Sequence, residues 1–181
     1  MRTLLRTFVV CLLASTTVAL AEDRPRNAFN KEVYAHLKAM LAASAEKMPA
    51  EDFNFKPTEA VRSFGQILGH VADSQYYFCS AVLGEKNPAP KIEKTRTSKP
   101  ELIAALNDAF AYCDKAHDGL TDASAADLVK VMGYEMPKLN VLSVNNMHTV
   151  EHYGNLVTYL RLKNIVPPSS DPEFTQHMNK K

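Results

Sequence analysis

Residues 139–163 read LNVLSVNNMHTVEHYGNLVTYLRLK, a 25-residue stretch without proline or an extended alternating pattern. At 100° per residue, Val141, Asn145, His148, His152, Asn155 and Tyr159 fall within a sector of roughly 80°. Leu142, Val144, Met147, Val150, Leu156, Val157, Leu160 and Leu162 occupy most of the remaining circumference. This predicts a long helix that is apolar on several sides and carries one polar stripe. A helix of that kind needs other helices around it, and its buried polar groups need partners or a hydrated cavity.

The prolines mark where those other helices lie. They stand at 25, 49, 57, 88, 90, 100, 137, 167, 168 and 172, leaving long proline-free intervals, and proline is excluded from helix interiors. Ser63-Phe64-Gly65-Gln66 and Ser98-Lys99-Pro100-Glu101 both fit the S-x-x-E/Q capping box, in which Pro100 is tolerated in the first turn. Gly84 sits where a left-handed cap is wanted, and Asn164 before Pro167-Pro168 marks a stop. Helices are therefore expected at about 27–47, 63–83, 99–120 and 139–163. Leu102, Leu106, Ala109, Phe110, Cys113 and Leu120 give the third its apolar side. The fold class that follows is all-α: a four-helix bundle with long crossover connections of about 15–18 residues. Segment 121–138 is open to a short extra helix or an extended piece, and no alternating β-branched run bounded by hairpin turns is evident elsewhere.

Composition narrows the function classes. The 181 residues hold 21 Lys and Arg against 20 Asp and Glu, which argues against a nucleic-acid partner, since phosphate binding needs a cationic surplus on one face. An apolar share of 46% with 23% charged residues suits one globular domain able to bury a core. Residues 1–21, MRTLLRTFVVCLLASTTVALA, combine Arg2 and Arg6, an apolar run from Phe8 to Leu20 and an A-x-A pattern at Ala19-Leu20-Ala21. They are expected to be a cleavable signal peptide, the run being too short and too interrupted for a membrane anchor. The mature domain would then be 22–181, with its core at about 27–170, periplasmic or secreted and without a stable membrane anchor. Its 19 basic side chains would face 20 acidic ones. In an oxidising compartment Cys79 and Cys113 could form a disulfide or simply be two small buried apolar residues; no C-x-x-C is present.

His148-x3-His152 places two imidazoles one helical turn apart, the spacing by which a helix offers two nitrogens to one metal. His70 lies on the second helix in a sector shared with Gln66, Ser74 and Tyr77. If the two stripes face each other, three imidazoles from two helices could bind a borderline divalent ion and leave positions open. His36 reads as a surface or boundary residue and His117 as a core-edge histidine. A neutral hydrogen-bonded histidine group accounts for the same spacing.

GQILGHVADSQYYFCSAVLG at 65–84 and HTVEHYGNLVTYLRLKNIVPPSS at 148–170, with FKPTEAVRSFG at 55–65 leading into the first, resemble the signature segments of the DinB/YfiT-like superfamily. The likeness spans about 27–170. It implies a four-helix bundle with a central triad of histidines on a divalent metal, and His70, His148 and His152 match those ligand positions. Asp73, Asn145 and Glu151, each near a ligand, are candidates to orient an imidazole through its second nitrogen. Arg161 matches a recurrent arginine of the family, for substrate contact or for pairing at the helix end.

The expected function is an exported DinB-like metal-binding protein, a metal-dependent enzyme whose three-histidine site, with Zn or Ni, acts as Lewis acid or water activator on a small-molecule substrate. Alternatives are a non-catalytic metal-binding protein and a helical interaction protein. The resemblance also brings in thiol-dependent transferases and isomerases, a route that fits poorly with export and with cysteines off the ligand face. Hydrolase and transferase chemistry are not separated by these residues. The apolar girdle of the last helix makes a homodimer reasonable.

Overall fold

The structure is a computed structural model and describes residues 27–178. The expected signal peptide at 1–21 lies outside the described residues. The chain forms α1 (Ala28–Lys47), α2 (Phe64–Leu83), a one-turn α3 (Ile92–Thr95), α4 (Lys99–Gly119), strands β1 (Leu128–Val131) and β2 (Tyr134–Pro137), α5 (Lys138–Leu162) and a short α6 (Pro172–Met178). The four long helices fall within a residue of the expected spans, because capping chemistry acts where the prolines permit. Ser63 Oγ accepts from Gln66 N while Gln66 Oε1 accepts from Ser63 N. Gly84 ends α2 at φ 72° and Asn164 follows α5 at φ 59°, both in the left-handed region that closes a helix.

α2 packs against α4 and α5, and α1 packs against the same two, so α1 and α2 hold opposite corners of the bundle. Lys99 at the start of α4 reaches the carbonyls of Glu46 and Met48 at the end of α1, which makes α1 and α4 antiparallel. Arg62, just before α2, accepts a hydrogen bond from Tyr159 near the end of α5, so these two are antiparallel as well. Cys79 and Cys113 are joined as a disulfide with their Cα atoms 5.3 Å apart, while Gly65 approaches Leu102. α2 and α4 therefore run parallel. A parallel pair consecutive among the long helices obliges residues 84–98 to return along the whole bundle, and α3 lies in that crossover.

The core is aliphatic and aromatic, with Leu41, Leu68, Phe110, Leu142, Leus 156 and 160 and Phe64 fully buried. Within it lies one polar layer. Asn145 Nδ2 donates to Gln75 Oε1 at 2.8 Å, Gln75 Nε2 donates to Thr149 Oγ1 at 3.0 Å, and Thr149 Oγ1 donates to the Asn145 carbonyl at 2.8 Å. These bonds offset much of the cost of burying three polar side chains.

Segment 121–138 takes the extended of its two expected forms, as an antiparallel hairpin pairing Leu128 with Pro137 and Val131 with Tyr134. Met132 and Gly133 take φ 55° and 85° at its turn, the double positive φ that matches strand twist. Val131 is buried, and Tyr77 Oη accepts from Met132 N at 3.0 Å, so the hairpin closes one side of α2. Phe29 of α1 and Met147 and Val150 of α5 remain exposed along a groove between these two helices, the last two on the helix whose apolar girdle suggested a homodimer. Among the described residues no helix is long and apolar enough to cross a membrane.

Candidate metal centre

The stripes of α2 and α5 do face each other. Their antiparallel register brings His70 opposite the His148–His152 pair, and His148 Nε2 lies 3.1 Å from His70 Nε2 and 3.0 Å from His152 Nε2. The three ligand-capable nitrogens all fall within 4.8 Å of one another. His152 is buried and the other two are half-buried.

Hydrogen bonding alone satisfies this cluster poorly. A neutral ring nitrogen offers either one proton or one lone pair, so His148 Nε2 can pair properly with only one of its two neighbours. Its other nitrogen, Nδ1, is buried and has no partner among the described residues. The His148 ring is thus held in polar terms by the other two imidazoles. Zn–N bonds are about 2.0–2.1 Å, so two imidazoles on one ion lie roughly 3 Å apart, as these do.

The protonation states suit the same arrangement. Burial, then the neighbouring His152, pushes His148 down to about 4. Burial also lowers His70, helped by Arg62 and His148, and lowers His152, helped by His70. All three rings are neutral near pH 7, which leaves their lone pairs available.

A carboxylate that sequence spacing did not indicate stands behind His70. Glu93 Oε2 is 3.3 Å from His70 Nδ1, and Glu93 Oε1 accepts from Arg62 Nε at 2.9 Å. Glu93 belongs to α3, 23 residues along the chain from His70, and only the crossover path brings them together. The nearest signal in the sequence was Gly69. A Cβ there would lie 2.7 Å from Glu93 Cα, so glycine is what lets the crossover backbone pass this close to α2.

The expected orienting residues behave differently. Asp73 accepts from the backbone N–H groups of Ile92 at 2.7 Å and Glu93 at 3.0 Å, so it caps α3 and touches no imidazole. Asn145 belongs to the polar layer, with its amide also 3.5 Å from Cys113 Sγ. Glu151 makes no hydrogen bond to the cluster in the structure, though its charge favours protonation of His148 and His152. Arg161 donates to Ser170 Oγ at 2.8 Å, a helix-end contact. Asn155, on the original polar stripe, places Nδ2 3.4 Å from His152 Nδ1.

The cluster opens beside a polar cavity of about 760 Å³, lined by segment 56–62, Gln66, Glu93, Glu151, His152, Asn155 and Tyr159. Lys56 and Arg62 supply its cations; Glu59, Glu93 and Glu151 supply its acids. The Tyr159 hydroxyl donates to the Arg62 carbonyl at 2.6 Å, which ties the wall of the cavity to α5.

His36 is exposed, as expected. His117 is more deeply buried than a core-edge residue, at 1% exposure, and stacks on Tyr34 with ring centroids 4.0 Å apart. Burial pushes it from 6.5 down to about 4. Between those values the unfolded chain takes up a proton that the folded chain refuses, so stability contributed by His117 is complete above pH 6.5 and lost as pH falls. A wild-type chain at pH 4.5 should lose on the order of 2 kcal/mol more than a His117→Phe variant over the same interval. Urea midpoints at pH 7 and 4.5 measure this; equal losses would remove His117 from the acid response.

Taken together, the fold and this site define an all-α bundle protein with a three-histidine cluster between antiparallel helices beside a polar cavity. The chain belongs to the DinB superfamily, whose family model matches residues 34–156, a span containing all three histidines. It is 26% identical over 121 residues to the uncharacterized protein YjoA of Bacillus subtilis strain 168, covering 65% of this chain and 77% of that protein. The crystal structure of a DinB-like protein from Bacillus cereus ATCC 10987 superposes with a TM-score of 0.69 at 14% identity, over 77% of this chain and 93% of that one. The crystal structure of the DinB-like YjoA from B. subtilis gives a TM-score of 0.60 at 20% identity, over 74% and 92%.

Proposed function

We propose that His70, His148 and His152 hold one divalent metal ion, and that the protein is a metal-dependent enzyme acting on a small polar molecule in the adjoining cavity. The observation that carries this reading is the convergence of three neutral Nε2 atoms at 3.0 and 3.1 Å spacing, which hydrogen bonding does not satisfy. Three nitrogen donors favour a borderline ion such as Zn²⁺ or Ni²⁺. Such an ion would supply Lewis acidity toward a water or a substrate oxygen. The chain's own part is to present the lone pairs, to wall off the far side with the aliphatic core, and to offer Gln66, Arg62, Asn155 and Glu151 as polar contacts around a bound molecule.

Three protein ligands leave positions open, which distinguishes a catalytic site from a closed four-ligand store. Cobalt(II) added to tag-free protein should therefore give a visible spectrum that azide shifts at saturating cobalt. A spectrum indifferent to azide would favour a closed, non-catalytic site. The export expected from residues 1–21 would place this chemistry outside the cytoplasm, where low-molecular-weight thiols are a less natural co-substrate.

A further inference from the structure

We propose that Glu93 is a positioning residue that fixes His70 as its Nδ1–H tautomer and so keeps His70 Nε2 free to bind the metal. The inference rests on the three-histidine reading and deepens it. An imidazole hydrogen-bonded to a carboxylate through one nitrogen presents a lone pair on the other and cannot rotate away, the usual outer contact of a ligating histidine. Of the three rings, only His70 has a carboxylate at its outer nitrogen among the described residues.

Four features of the chain converge on that single contact. Asp73, one turn beyond His70, accepts both Ile92 N and Glu93 N, anchoring the backbone from which Glu93 projects. Ile92 is buried against the core beside it. Gly69 removes the Cβ that would collide with Glu93 Cα. Arg62 then binds Oε1 of Glu93 at 2.9 Å, while its own carbonyl is held by Tyr159 at 2.6 Å, so the carboxylate is turned with Oε2 toward His70. A carboxylate needed only for an ion pair with Arg62 does not require its backbone fixed at α2.

The test compares wild type with Glu93→Met, Arg62→Ala and the double variant Arg62→Ala/Glu93→Gln. In metal-free protein, nitrogen-15 shifts of the His70 ring should report the Nδ1–H form in wild type and in the double variant, whose single amide oxygen is no longer claimed by Arg62 and accepts from His70. They should report a shift toward the Nε2–H form in Glu93→Met. Cobalt(II) dissociation constants, measured by competition with a chelator, should rise about 10–100-fold in Glu93→Met. Arg62→Ala, which loosens the carboxylate but leaves its backbone anchored on Asp73, should raise them by less than Glu93→Met. An unchanged His70 tautomer in Glu93→Met, or cobalt affinity equal to wild type, overturns the role of Glu93. Failure of wild type itself to bind cobalt overturns the metal reading instead, and the tautomer measurement still decides what Glu93 does to His70.

Discussion

A His148→Ala/His152→Ala double variant is expected to retain almost no divalent ion after purification without a polyhistidine tag, where wild type retains about one per chain. Two of three nitrogens disappear together, and a lone His70 has no chelate partner. The comparison is informative because the fold should survive it. The α5 backbone bonds are untouched, alanine is the best helix former, and the His152 ring borders a cavity as well as the core. Removing two partly desolvated imidazoles that satisfy each other poorly also relieves some polar burial. Circular dichroism should therefore show the helical content of wild type while elemental analysis shows the loss of metal. Equal metal in both proteins would show that the ion sits elsewhere and would remove the three-histidine reading.

The second large effect concerns the link between α2 and α4. Cys79 and Cys113 are fully buried and 34 residues apart in sequence. In the chain-entropy account, a closed loop of that length is worth about 4 kcal/mol, and removal of a native disulfide typically costs about 2–5 kcal/mol. Wild type unfolded in urea with a reductant should lose stability in that range, a fall of roughly 10 °C in melting temperature for a domain this size. A Cys79→Ala/Cys113→Ala variant should start at the lower stability and show no response to reductant. Two free thiols by mass in native protein, with no reductant effect, would reduce the pair to two small core residues, the other reading their sequence allowed.

Most of the bundle was legible because its signals are local. Proline placement, the Ser63 and Ser98 boxes, Gly84 and Asn164 each act within a turn of where they stand, and α5 announced its buried setting through an apolar girdle around one polar stripe. The grouping of His70 with His148 and His152 rested on two polar faces that could meet and on the DinB-like resemblance that matched all three to ligand positions. The hairpin was legible only as an extended piece left open beside a short helix. Its strands are four residues each, and the Met132-Gly133 turn lacks the Asn or Asp that signals this geometry. Glu93 was hidden for a different reason: no spacing rule relates α2 to a residue in a proline-rich crossover, and direct proximity to a ligand pointed instead to Asp73, Asn145 and Glu151. Asp73 instead anchors the strap that carries Glu93, and Asn145 is bonded to Gln75 in the core.

The crossover has a consequence for how the site opens. Because α2 and α4 run parallel, the strap lies along the outside of the bundle and can detach without separating the four long helices. Its docking is marked by the amides of Ile92 and Glu93, which end on Asp73. Hydrogen exchange at those two amides should follow a local opening of lower free energy than global unfolding, and each such event would carry Glu93 away from His70. The exchange rate of two backbone protons thus becomes a clock for how often the histidine cluster loses its carboxylate.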